Sequence, residues 1–330
     1  MVPKKKLELV HLQLTRDCNL RCWFCGQWGK KGFFFGKPSL EMTVSDWKKV
    51  IDDVYEDAED KSDLPSFILW GGEPLVSPCF DEVAQYLYSL GFRTAIVTNG
   101  VLIDKHIETC KNFIDRIYLS VDGPEEIHDS IRGEGVFKTI CKNLELIRGG
   151  KAEIVIMSVL SPALVECIEK LPEAFEKLCP DEVILQEMIT VTPQEAEDYK
   201  HWLNSAFGIC AHDIDSWIGE MPENFEKIKR AKIEEVLKIK TSYKLVYRPH
   251  GADAAREFCL SPFRHVHVAW NGNVLYCTDF YDFCAGNVKK EKITDIFENE
   301  ISEKYRAEIM NGNCATCRHC SWKNNETFKF

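Results

Sequence analysis

The chain has 330 residues, 45% of them hydrophobic, and carries a formal net charge of −11 with a pI near 5.4. This length favours one large domain with a smaller appendage, and the acidic balance argues against nucleic acid or an anionic membrane as the main partner. With no apolar run of membrane-span length and no signal-peptide core, a cytoplasmic chain is expected, and its fifteen cysteines then read as metal ligands and core filler, not disulfides.

The first alternating run, residues 7–14, reads as a strand that opens into Thr15-Arg16-Asp17-Cys18-Asn19-Leu20-Arg21-Cys22-Trp23-Phe24-Cys25. Three thiols at C-x3-C-x2-C on a loop leaving a strand can hold three irons of a cubane cluster, which leaves the fourth iron without a protein ligand. A structural site saturates its metal, whereas a catalytic one keeps a position open. The same spacing is also the i, i+4, i+7 face of a helix, and three thiolates also suit zinc. Asn19 and the glycines at 26, 29 and 32 speak against the helix. The lack of a nearby His speaks against zinc.

Further strands are predicted at 66–70, 93–98, 116–121, 152–158 and 182–187, with helical periods at 44–55, 80–90, 137–147 and 164–178 between them. Alternation of this kind predicts an α/β fold with a parallel sheet. Six units curl into a partial (β/α)6 TIM-like barrel, whose ligand chemistry sits at the C-terminal strand ends. Those ends carry the unusual residues. Gly71-Gly72-Glu73-Pro74 offers backbone close to a ligand and a carboxylate for an amino group. Thr98-Asn99-Gly100 is a polar turn. Ser120-Val121-Asp122-Gly123 offers groups for ribose hydroxyls, and Arg132, after His128 and Asp129, suits a carboxylate. Each alone is an ordinary βα turn; together, beside a thiol trio, they point to a ligand pocket.

The C-x3-C-x2-C loop, the GGEP segment and S-V-D-G-P followed by H-D-x-I-R-G resemble the radical S-adenosylmethionine (SAM) superfamily over the first 190 or so residues. The resemblance implies that Cys18, Cys22 and Cys25 ligate a [4Fe–4S] cluster whose open iron is chelated by SAM. It implies Phe24 near the adenine, Gly71, Gly72 and Glu73 at the methionine amino group, Ser120 and Asp122 near the ribose and sulfonium, and Arg132 near the carboxylate, with Asn99 among the cofactor contacts. The activity implied is reductive cleavage of SAM to a 5′-deoxyadenosyl radical, which abstracts hydrogen from an unactivated C–H bond.

Residues 193–207 and 224–240 have helical period, and Trp202, Trp217 and Phe225 either pack these helices or cover the cavity. Farther on, Cys259 precedes two alternating runs around Asn271-Gly272-Asn273, a hairpin signal that ends on Cys277. Gly286-Asn287 leads to a helix from about residue 293 and to Cys314-x2-Cys317-x2-Cys320. Spacing alone leaves zinc and an iron–sulfur cluster open and favours the zinc ribbon. The pattern C-x12-G-x4-C, then G-N and a terminal C-x2-C, resembles the SPASM/Twitch extension of radical SAM enzymes, which implies a second, auxiliary [4Fe–4S] cluster. Its implied ligands are Cys259, Cys277, Cys314 and Cys317, with Cys320 or Cys284 able to replace one. In sulfatase-maturing relatives an Asp directly after the hairpin cysteine acts as base; here Asp279 follows Cys277 by two. His265 and His267 read as core histidines, and Cys79, Cys110, Cys141, Cys167, Cys179 and Cys210 as filler.

The expected division is a barrel at 1–210, a helical connector at 211–250 and a Cys-rich hairpin/helix domain at 251–330. The expected function is a radical SAM oxidoreductase or maturase acting on a small metabolite or peptide. A peptide (RiPP-type) or sulfatase-type maturase and a non-catalytic iron–sulfur or zinc protein are the alternatives. A flavodoxin or ferredoxin reductant is implied as partner, and a separate peptide-docking protein is the further partner if the substrate is a peptide.

Overall fold

The computed structural model describes residues 3–35, 40–250, 258–320 and 330; the boundary expected at residue 251 lies outside them. Ten strands form one sheet: β1 (Leu9–Thr15), β2 (Ser66–Gly71), β3 (Thr94–Thr98), β4 (Arg116–Ser120), β5 (Glu153–Leu160), β6 (Glu182–Glu187), β7 (Lys244–Arg248), β8 (His265–Val268), β9 (Asn273–Leu275) and β10 (Gly286–Asn287). Their order is β10-β9-β8-β1-β2-β3-β4-β5-β6-β7. From β8 through β1 to β7 every neighbouring pair is parallel. The short β9 and β10 close one edge antiparallel. Helices α1 (Val44–Asp57), α2 (Phe80–Ser89), α3 (Ile107–Asn112), α4 (Glu125–Arg132), α5 (Val136–Ile147), α6 (Pro162–Glu166), α7 (Leu171–Glu176), α8 (Pro193–Phe207), α9 (Phe225–Val236), α10 (Ser261–Arg264), α11 (Ile293–Glu298) and α12 (Glu300–Met310) complete the described elements.

Strand alternation sorts the interior into two layers. Val10, Leu12, Phe67, Leu69, Ile96, Ile117, Leu119, Ile156 and Val183 face the helices in the main core. Leu9, Ile68, Ala95, Tyr118, Val155 and Ile184, one from each of the first six strands, meet on the other face. That inner layer is the floor of the partial barrel, and it leaves the strand tips free for a site. Thr43 caps α1 and Thr192 caps α8, each in a reciprocal box with the residue three on, Asp46 and Glu195; such caps satisfy the first orphan N–H groups.

Three differences from the sequence expectations have local causes. The helical period at 164–178 is broken into α6, a 3-10 turn at Ile168–Lys170, and α7, with Pro172 inside the first turn of α7; proline supplies no N–H to carry a helix through. The stretch 211–250 holds α9 but also β7, which pairs with β6 from Glu182↔Lys244 to Gln186↔Arg248. The hairpin predicted around Asn271-Gly272 is β8–β9, and Gly272 sits at φ +90°, where a side chain would be strained. Its first strand pairs in parallel with β1, from Leu9↔His265 to Leu12↔Val268. The C-terminal stretch is therefore stitched to the barrel through the strand that carries the thiol loop.

Candidate active site

The loop after β1 is pinned by the tip of β2. Gly72 N–H donates to Thr15 O (3.0 Å) and Glu73 N–H to Asp17 O (2.8 Å). A Cβ on Gly71 would stand 2.4 Å from Thr15 O, and one on Gly72 2.3 Å from both Arg16 O and Asp17 O. The two glycines therefore line the cavity, but their lack of a side chain is needed by the thiol loop, not only by a ligand as the sequence suggested.

A cavity of about 260 Å³ opens above the barrel floor, lined among others by Cys18, Cys22, Phe24, Cys25, Gly71, Gly72, Glu73, Asn99, Ser120, Arg132 and Asp279. Each thiol of the trio receives a nitrogen donor. Leu20 N–H points at Cys18 Sγ (3.4 Å), Trp28 N–H at Cys25 Sγ (3.4 Å), and Arg132 Nη1 at Cys22 Sγ (3.8 Å). Burial pushes the Cys18 thiol up to about 12 and the Cys22 thiol upward as well, Arg132 opposing the latter. Thiols this desolvated become thiolates when a metal takes them, and aimed N–H groups then stabilise sulfur charge. Of the other described lining residues only Met188 brings sulfur, as a thioether, so three loop thiols with aimed donors fit a cluster with one iron free of protein thiolate.

Glu73 is 1% exposed. It accepts from Thr98 Oγ1 (2.7 Å), Asn99 N–H (2.8 Å) and Leu75 N–H (3.2 Å), and burial still raises its pKa to about 7. Among the described residues no cation forms an ion pair with it, Arg132 acting only through space, and a ligand ammonium would supply one. Asn99 Nδ2 in turn donates to Asn19 Oδ1 (2.8 Å), tying the β3 tip to the thiol loop.

Asp122 departs from its expected contact. It is fully buried and does not line the cavity; Oδ2 accepts from Arg132 Nε (2.7 Å) and Oδ1 from Val159 N–H (2.9 Å). Each oxygen carries one hydrogen bond, and the residue aims Arg132 at Cys22. Arg132 keeps its charge, Asp122 and Cys22 outweighing burial.

A second pocket gathers Cys259, Cys277, Cys314, Cys317 and Cys320. Ser261 N–H donates to Cys259 Sγ (3.4 Å), and Cys314 Sγ lies 3.2 Å from Thr316 Oγ1. The Cys314 thiol is held low by Cys317 and Thr316, whereas Cys317 is pushed up by Cys314 and burial. Among the described residues no three of these sulfurs lie within 4.8 Å of one another. A single zinc with 2.3 Å bonds would need them roughly 3.8 Å apart, so the set suits a cluster better than a mononuclear ion. Cys284 is not among them: its thiol donates to Gly286 O (3.1 Å) and packs beside Trp28, Phe33 and Phe34. Its expected substitution as a ligand is not what the geometry brings together.

Asp279 lines both pockets. Burial raises its pKa to about 6, Thr278 opposing, and Oδ2 is a buried oxygen without a partner. Trp217 Nε1 donates to Asp279 O (3.1 Å), and the Trp217 ring occupies the space beside Gly26. Trp217 thus covers the cavity, while Trp202 and Phe225 are buried against helices. His265 and His267 are core histidines, lowered to about 3 by burial.

Residue reasoning missed the wall formed by Trp70, Gln186, Glu187 and Met188. Glu187 accepts from Tyr247 Oη and from Lys229 Nζ (2.5 Å), and the same ammonium reaches Glu226 (2.8 Å). Lys229 is 0% exposed and holds the position a cation would take between Glu187, Glu226 and His250. A lysine in a helical period gives no sequence signal of such burial.

Two family models match the chain: the radical SAM superfamily over residues 12–174, and SPASM, an iron–sulfur cluster-binding domain, over 259–321. An AdoMet-dependent heme synthase of Methanosarcina barkeri is 26% identical over 94% of this chain and 88% of its own length. A cysteine-type anaerobic sulfatase-maturating enzyme of Clostridium novyi is 22% identical over 96% and 86%. Among solved structures, Streptococcus suis SuiB bound to S-adenosylmethionine superposes with a TM-score of 0.68 at 14% identity, covering 96% of this chain and 72% of that one. SuiB bound to its precursor peptide SuiA superposes at 0.64 and 14%, over 98% and 71%. At these identities the superpositions show the fold alone.

Proposed function

The chain is a radical SAM enzyme with a C-terminal SPASM domain, and we propose that it oxidises an unactivated C–H position of a small metabolite or short peptide segment. The observation that carries this reading is Asp279, a buried carboxylate shared by the cavity of Cys18, Cys22 and Cys25 and the pocket of Cys259, Cys277, Cys314, Cys317 and Cys320. When bound, the first cluster and SAM supply one-electron cleavage of the sulfonium to a 5′-deoxyadenosyl radical, which takes a hydrogen atom from the substrate.

Cys18, Cys22 and Cys25 would hold that cluster, and Glu73 would receive the SAM ammonium. Arg132, aimed by Asp122, neutralises charge beside Cys22 and faces the SAM carboxylate. Phe24, Asn99 and Ser120 complete the wall. Proximity does much of the work, because a chelated ligand cannot drift from the reacting atoms. Trp70 and Trp217 cover the chamber and exclude water. Asp279 is placed to take the proton that a substrate radical gives up, and an auxiliary cluster, which Cys259, Cys277 and the Cys314–Cys320 turn would hold, would supply the acceptor for the accompanying electron. Together with the hydrogen atom removed first, this makes a balanced two-electron oxidation. The division into a barrel at 1–210, a connector at 211–250 and an auxiliary domain at 251–330 belongs to this proposal, with β7 counted to the barrel sheet.

A peptide substrate is the second reading. It is supported by the likeness to SuiB, solved with its precursor peptide, and to a sulfatase-maturating enzyme. The experiment for the shared claim is anaerobic reconstitution followed by SAM and dithionite. Formation of 5′-deoxyadenosine above a Cys18→Ala control supports it; SAM recovered intact rejects it.

A further inference from the structure

We propose that the exposed face of the thiol loop, built from Arg21, Trp23, Lys30, Lys31 and Phe35, is the docking surface for a small acidic electron-carrier protein. The inference rests on the reductive SAM cleavage proposed above, because that reaction consumes one electron the chain does not hold. Residues 16–35 carry four basic side chains, Arg16, Arg21, Lys30 and Lys31, against one acidic, Asp17, in a chain whose net charge is −11. The segment's charge is thus opposite in sign to that of the whole chain, with Arg21, Lys30 and Lys31 exposed, and exposed charge of this sign steers an acidic partner.

The patch is also joined directly to the thiol loop. Trp23, 46% exposed, lies between the ligand candidates Cys22 and Cys25, and its ring meets Phe24 edge-on at 5.5 Å, which lines the cavity. Arg21 donates to Cys18 O (2.6 Å) and lies over the Trp28 ring at 4.5 Å, and Trp28 meets Phe35, 55% exposed, at 5.3 Å. Turns tie the segment after Cys25 back to the loop, with Gly29 N–H on Cys25 O (2.7 Å) and Phe33 N–H on Gly26 O (2.9 Å). Lys30 and Lys31 project from these turns and are exposed. Exposed aromatic groups and an arginine are enriched at contact surfaces, and exposed lysines steer an oppositely charged partner. In the step itself the carrier is oxidised by one electron, which enters the cluster held by Cys18, Cys22 and Cys25.

The test compares K30E/K31E with a control of equal charge change, K289E/K290E, on exposed lysines that follow β10. All proteins are fully reconstituted and assayed for 5′-deoxyadenosine with reduced flavodoxin and, separately, with dithionite. At low salt K30E/K31E should lose on the order of tenfold in the flavodoxin-driven rate, converging on the parent as salt screens the contact. The control should match the parent, and all three should agree with dithionite. A flavodoxin-driven rate unchanged in K30E/K31E overturns the docking surface. Equal slowing with dithionite also overturns it, because the defect then lies in the cluster loop. No 5′-deoxyadenosine from the parent with dithionite overturns the cleavage reading and the docking proposal with it.

Discussion

Glu73 sits with three hydrogen-bond donors and a pKa raised to about 7 by burial, so its charge is held by hydrogen bonds and awaits an ammonium. Glu73→Gln keeps the shape and removes the charge. A hydrogen bond to a charged group contributes about 1.5–3 kcal/mol, so SAM affinity should fall by about 10- to 100-fold. Equilibrium dialysis of the reconstituted protein reads this, and unchanged affinity would remove Glu73 from the site. His128 carries a second prediction. It is 0% exposed, accepts from Asp122 N–H (3.1 Å) and is lowered to about 4 by burial. A histidine depressed on folding binds its proton more readily when unfolded. Its contribution is therefore complete above about pH 6.5 and is lost as pH falls toward 4, worth about 3 kcal/mol over that window. Urea midpoints should drop across that interval, and less steeply in His128→Asn.

At the level of elements, the β2 tip and the thiol loop behave as one unit. Gly72→Ala would place a methyl group 2.3 Å from two loop carbonyls, so the loop must move while the barrel stays. Iron bound after reconstitution should fall by about half, with far-UV circular dichroism unchanged; full iron content would contradict the packing argument. The first six strands were legible because each parallel strand is an apolar run between turn signals. Strand β7 was not, since Lys-Leu-Val-Tyr-Arg is short, polar at both ends and follows a strong helical period. The pairing of β8 with β1 could not be read either, because register between strands about 250 residues apart leaves no local trace. The thiol trio and the GGEP turn were readable as spacing, whereas the Asp122–Arg132 pair and the separation of Cys284 from the other C-terminal thiols were not, because side-chain direction depends on tertiary partners. Lys229 belongs here too: α9 drives it into the wall behind Glu187. Lys229→Met strands a buried carboxylate, and breaking a buried pair costs about 3–5 kcal/mol. Urea denaturation should show that loss, and a loss below about 1 kcal/mol would mean that Glu187 and Glu226 do not depend on the ammonium.

Across the whole molecule, two thiol pockets flank one shared carboxylate, and a sheet running from β10 to β7 carries both. Among the described residues no helix is long and apolar enough to cross a membrane. Two cubanes require about eight irons and eight sulfides per chain, and Cys277→Ala/Cys314→Ala should retain about four of each. That double variant isolates the first cluster and permits the most direct measurement of the central claim. Its dithionite-reduced form is examined by electron paramagnetic resonance before and after adding SAM labelled with 15N at the amino group. The account predicts a shifted cluster signal with hyperfine coupling to the label, because the iron left open by Cys18, Cys22 and Cys25 is where SAM binds. A spectrum identical with and without SAM would contradict it.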